Sequence, residues 1–73
     1  MPKLGVFSGA DICGLLRKYG FVHIHTTGSH ALMRTQTARG KITVPVPLHH
    51  ELAKGTLLSI IKQSQLPRAY FEK

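Results

Sequence analysis

A change of hydrophobic period at Gly20 is the strongest constraint on what this sequence can fold into. Before it, Ile12, Leu15, Leu16 and Tyr19 recur at helical spacing and form one apolar stripe. After it the period drops to two: Val22 and Ile24 alternate with His23 and His25, as in a half-buried strand. The chain must therefore open with a helix and continue with strands. Ser8 and Asp11, three residues apart, make a capping-box-like start, with Asp standing where Glu or Gln is usual. Gly20 suits the position just past a helix end, and Arg17 and Lys18 suit the negative end of the helix dipole. These signals predict a first helix over Gly9 to Tyr19, with Gly14 as its weak point.

Thr27-Gly28 predicts a turn, Ser29 to Thr35 a second strand, and Gln36 to Gly40 another turn. A third strand is expected over Lys41 to Val46, with Ile42, Val44 and Val46 on one face and Lys41 and Thr43 on the other. Pro45 and Pro47 cannot donate ladder hydrogen bonds, which puts this strand at an edge or a bulge. Leu48 to Ala53 reads as a loop. Thr56 is expected to cap or open a second helix through Gln63, with Leu57, Ile60 and Ile61 as its core stripe and Leu58 a further candidate. Gly55 is expected to serve an unusual backbone angle or close packing. Pro67 stops the helix and opens a short turn, Arg68 to Phe71. The order α-β-β-β-α predicts an α+β sandwich, a three-stranded antiparallel meander with both helices on one face. No repeat or linker divides the chain, so residues 1–73 are expected to form a single domain.

Ten Lys and Arg stand against three Asp and Glu, a formal charge of +7 that favours a polyanion or an acidic protein as partner. The cations are scattered, so no polybasic tail is implied. Cys13, the one cysteine, excludes an internal disulfide; inside a helical apolar pattern it reads as a small buried residue in a reducing compartment. With no signal-peptide pattern and no apolar run long enough to span a bilayer, a cytoplasmic location without membrane partnership is expected.

Gly28-Ser29-His30 is the motif that carries chemistry. A glycine turn lets backbone N–H groups approach phosphate, and a histidine moves protons near neutral pH. Five histidines raise the question of a metal. His49 and His50 are adjacent, and His23 and His25 fall on one face of an alternating strand, but neither pair has a cysteine at zinc spacing. Carboxylates are too few for a magnesium cluster. No metal, and no nucleotide or other small-molecule cofactor, is expected. Ser29 activated by His30 is disfavoured, because neighbours on a strand point to opposite faces.

The opening Met-Pro-Lys-Leu, the Ser8-Gly9 helix start and the exit Lys18-Tyr19-Gly20-Phe21 resemble the HicA family of toxins from toxin–antitoxin pairs. So do Gly28-Ser29-His30, Val46-Pro47-Leu48-His49, and Lys54-Gly55-Thr56-Leu57 followed by Ile60. The resemblance implies a fold like the double-stranded RNA-binding domain and an mRNA-cleaving endoribonuclease with His30 as catalytic residue. It also implies a HicB-type antitoxin that blocks the active site. Family members often carry basic residues just before the motif, where this chain has His25, Thr26 and Thr27.

Metal-free RNA cleavage fits such a site, because the ribose 2′-OH is an internal nucleophile needing only deprotonation and charge stabilisation. His49 is the best candidate for a second proton-transfer group. Gly28, Ser29, His25, His49, Arg34 and Lys54 are the candidate RNA contacts: Arg34 shares a strand face with His30 and Leu32, and Lys54 precedes the second helix. The competing readings are a non-catalytic RNA-binding module and a protein-interaction domain of the same fold.

Overall fold

The structure, a computed structural model, describes residues 3–72. The elements run α1 (Gly9–Lys18), β1 (Val22–Thr27), β2 (His30–Thr37), β3 (Gly40–Pro47) and α2 (Lys54–Ser64), then a short 3₁₀ helix at Arg68–Phe71. The strands form one antiparallel sheet in the order β1-β2-β3, so the α-β-β-β-α sandwich is borne out.

Local chemistry sets the ends of α1. The Ser8 hydroxyl accepts from the Asp11 N–H and the Asp11 carboxylate accepts from the Ser8 N–H, both at 3.0 Å, which completes the capping box. At the other end the Gly20 N–H donates to the Arg17 carbonyl and the Phe21 N–H to the Leu16 carbonyl, the paired bonds of a Schellman motif. Tyr19 is therefore the cap and not a helical residue; its ring stacks on Tyr70 with centroids 4.1 Å apart. Phe21 then enters the core just behind Leu16.

The core is a single cluster between the sheet and the helices. Ile12 and Leu16 from α1, Met33, Val44 and Val46 from the sheet, and Leu57, Ile60 and Ile61 from α2 meet there. Burying each such side chain is worth about 1.5–3 kcal/mol. Phe7 and Phe71 close one end, edge to face. Ile42 packs on the margin, and Lys41 and Thr43 are exposed, which matches the alternation read for β3.

Several expectations need correction. Strand β1 is exposed along its whole length, with Val22 at 58% and Ile24 at 40%. A bulge is the cause: His23 pairs with Met33 and His25 with Leu32, leaving Ile24 as the extra residue. An inserted residue flips the alternation, so His23 and His25 lie on opposite faces and do not share one. The first turn is shifted by one residue and the second is tighter than expected. Ser29 belongs to the turn, β2 runs on to Thr37, and β3 starts at Gly40.

Helix α2 begins two residues before Thr56, which sits inside the first turn; Ala53 is the N-cap and offers no side-chain bond. Lys54 is thus the first helical residue and does not precede the helix. A Cβ on Gly55 would meet nothing within 4 Å, so close packing does not explain that glycine, and its φ is not positive. Leu58 is exposed and outside the stripe, while Ser64 is buried with its hydroxyl donating to the Ile61 carbonyl. Cys13 is only half-buried.

Gly9 is the tightest point of the fold. A Cβ there would overlap the Pro47 carbonyl and lie 2.8 Å from the Leu48 Cα, both rigid backbone. Gly9→Ala is expected to push α1 off the end of β3 and to cost about 2 kcal/mol or more. A lowered urea midpoint with unchanged slope checks this; an unchanged midpoint contradicts it.

Candidate functional site

Because the helices cover one face of the sheet, the other is open. Register assigns the residues to each face. Ala31 and Met33 of β2, with Val44 and Val46 of β3, are buried beneath the helices. His30, Leu32 and Arg34 face the other way, flanked by His25 and Thr27 of β1 and by Pro47, Pro45 and Thr43 of β3. Each of these is exposed or half-exposed. The three carboxylates of the sequence, Asp11, Glu51 and Glu72, all lie outside the sheet. Arg34 and, one pair further along, Lys41 are the cations that the strands place on the open face.

His30 is the first residue of β2, paired with Thr27 on one side and Pro47 on the other. A two-residue turn, Gly28-Ser29, precedes it. Gly28 has φ +57°, while Ser29 keeps a negative φ, the pattern of a type II′ hairpin turn. The turn is tied down from the neighbouring loop, because the Leu48 N–H donates to the Ser29 carbonyl at 2.6 Å. The Ser29 hydroxyl lies 3.5 Å from His30 Nδ1. The opposite-face argument against this pair fails, since Ser29 sits in the turn and not on the strand. At 3.5 Å the contact is too long to activate a nucleophile.

His49 follows the same loop. It lies two residues beyond Pro47, the β3 partner of His30, and its carbonyl accepts from the Gly9 N–H at 2.9 Å. Its backbone is therefore held while the side chain is exposed. Arg34 stands four residues along β2, about 13 Å from His30 at the rise of a strand. Its Nε donates to the Thr43 hydroxyl at 2.9 Å, which fixes the guanidinium over the open face. Arg34 and Lys41 border one shallow recess of about 300 Å³ with Val22.

The hairpin thus gathers His25, Gly28, Ser29, His30 and, through the Leu48 bond, the start of the His49 loop. Arg34 joins from farther along the same face. Lys54 does not: it lies in a separate groove with Lys3 and Arg68. Sequence reasoning missed Thr43 as the anchor of Arg34 and Lys41 as its companion. Strand register alone could have found both, given the second hairpin's length. It also missed the hydrogen bond between His23 Nε2 and the Thr26 hydroxyl at 2.9 Å, which the bulge creates on the helix-facing side. Among the described residues no group of three His, Cys, Asp or Glu side chains could hold a metal ion. No helix among them is long and apolar enough to cross a membrane.

The fold is a small α-β-β-β-α sandwich with one sheet face left open. Residues 9–66 match the family described as HicA toxin of bacterial toxin–antitoxin, and the chain belongs to that family. It is accordingly the toxin of a toxin–antitoxin pair, and an antitoxin is its partner. No individual curated protein matches the chain.

On the helix side, Cys13 borders a recess with Arg17, His23 and Thr26. Partial burial raises the thiol pKa above its ordinary value, and the Arg17 charge offsets this only in part. A raised pKa means that the unfolded thiol ionises first, so this group's contribution to stability is complete below pH 9 and is lost as pH climbs beyond it. Iodoacetamide at pH 8 is expected to alkylate native Cys13 more slowly than the urea-unfolded chain. Equal rates would show the thiol to be unperturbed.

Proposed function

We propose that the protein is a metal-independent endoribonuclease toxin that cleaves mRNA, with His30 as general acid/base, and that a HicB-type antitoxin silences it by covering the hairpin. The observation that carries the reading is an exposed histidine at a pinned turn on a cationic sheet face. Phosphate is drawn to that face by Arg34, Lys41 and the absence of acids. Gly28 keeps the turn free of a side chain where the backbone N–H groups meet the phosphate.

The chemistry needs little else. His30 takes the proton of the ribose 2′-OH, whose oxygen attacks the adjacent phosphorus in line. The P–O5′ bond breaks as the O2′–P bond forms, and the leaving O5′ takes a proton from His49. The products are a 2′,3′-cyclic phosphate and a 5′-hydroxyl end. The Ser29 hydroxyl lies beside the His30 ring, 3.5 Å from Nδ1. His25 and Arg34 extend the contact along the RNA, on the face that His30 shares. Metal independence follows from how the carboxylates are used: Asp11 caps α1, Glu72 pairs with Arg68 and Glu51 borders another groove. The antitoxin inhibits because RNA cannot reach His30 beneath it.

His30→Ala should keep the circular dichroism and melting of the parent while lowering RNA cleavage by about 100-fold or more. Cleavage by the parent should survive EDTA and stop on a substrate with a 2′-deoxy sugar at the scissile position. A folded alanine variant that cleaves at the parental rate removes His30 from the mechanism. Full dependence on added magnesium removes the internal-nucleophile route.

A further inference from the structure

A second surface lies away from the hairpin, on the helical layer. Residues 3–7 run as an extended segment beside the carboxy-terminal end, with Leu4 bridged to Glu72 and the Gly5 N–H donating to the Phe71 carbonyl at 2.8 Å. Between this segment, the Glu51-Leu52 loop, the start of α2 and Arg68 opens a groove of about 790 Å³. No residue of the His30 hairpin lines it. Leu57, which also belongs to the core beneath the sheet, forms part of its floor, so the groove and the open face lie on opposite sides of the sheet.

We propose that this groove is a second docking site for the antitoxin, taking an acidic segment that carries aliphatic anchors. The aliphatic lining comes from Leu4, Leu52, Leu57 and Val6, the last 67% exposed among the described residues. Lys3, Lys54 and Arg68 stand around the rim. Glu51 shares that rim and Glu72 is paired to Arg68 at 3.1 Å, so the cations still outnumber the acids. The first turn of α2 adds to the positive side, since it holds no acidic residue and its Ala53 cap supplies no acceptor. Such a rim repels another copy of a chain with net charge +7. RNA is the poorer fit, because no aromatic ring lines the groove to stack a base. An acidic peptide with Leu, Ile or Val side chains satisfies both the floor and the rim. The inference rests on membership of the toxin family, and stands apart from the assignment of His30. A contact here holds the antitoxin on the toxin without competing for the face that meets RNA.

The test titrates the cognate antitoxin onto toxin carrying His30→Ala, with and without the added pair Lys3→Glu and Val6→Glu at exposed positions. The pair is expected to weaken binding about tenfold or more, with a smaller loss at high salt. The same pair placed in the His30-intact toxin should leave RNA cleavage at the parental rate. Hydrogen exchange on the unsubstituted groove, in the His30→Ala complex, should show protection at residues 4–6 and 52–57 as well as at the hairpin. Unchanged affinity, or protection confined to the hairpin, overturns the proposal. So does a loss of oligouridine binding with antitoxin binding intact, which would make the groove an RNA site. Failure of the His30 assignment shows itself separately, as cleavage by the alanine variant, and leaves these binding readouts unaffected.

Discussion

The N–H of Gly9 donates to the His49 carbonyl, and one residue earlier in that loop the Leu48 N–H donates to the Ser29 carbonyl. These two bonds join the start of α1, the exit of β3 and the turn between β1 and β2 at one point. The junction exists because Gly9 has no Cβ, so the helix start can rest directly on the Pro47 backbone. Ser8 and Asp11 fix the helix end that makes this approach. The junction ties the helix layer to a turn whose β1 arm is an edge strand exposed throughout and whose β2 arm is already paired with β3. His30 inherits its rigidity from Gly9, twenty-one positions away in sequence.

Most of the fold was legible because helix signals and strand signals agree with one another along the chain. The α1 stripe, its capping box and the Gly20 stop all point to the same ten-residue helix. What escaped was set by tertiary contacts or by single inserted residues. The bulge at Ile24 has no composition of its own; it appears only when β1 is laid against β2, and it moves His23 away from His25. Val22 and Ile24 look like core on alternation alone, yet the bulge pairs Val22 with Arg34 on the open face and leaves Ile24 as the extra residue of an edge strand. Thr56 offered cap chemistry, but α2 starts at Lys54, where packing of Leu57 against the core decides the register without any side-chain cap.

The same distinction holds for the candidate site. Gly28, Ser29 and His30 stood out because a glycine turn followed by histidine is local information, and the type II′ geometry of the turn is a local consequence. Arg34 could be placed on the face of His30 by counting residues along one strand. Its fixed geometry could not be read this way, because the Thr43 hydroxyl that holds it comes from β3. Lys54 shows the opposite case. A lysine at a helix start suggested an anion site near the hairpin, but the helix that carries it lies across the sheet from His30.

Two surfaces of unlike character follow from this arrangement. The open sheet face is polar and basic, with prolines on β3 that keep its outer edge from pairing with another strand. The groove on the helical layer has an aliphatic floor under a charged rim. In a domain this small the core cannot grow to absorb both, so each remains exposed until a partner covers it. On the proposed reading, an antitoxin that covers both would gain affinity from the groove and inhibition from the sheet face, and the two contributions could change independently. Substitutions around Val6 would tune how tightly the pair holds together while His30 and its supporting junction stay as the chemistry requires.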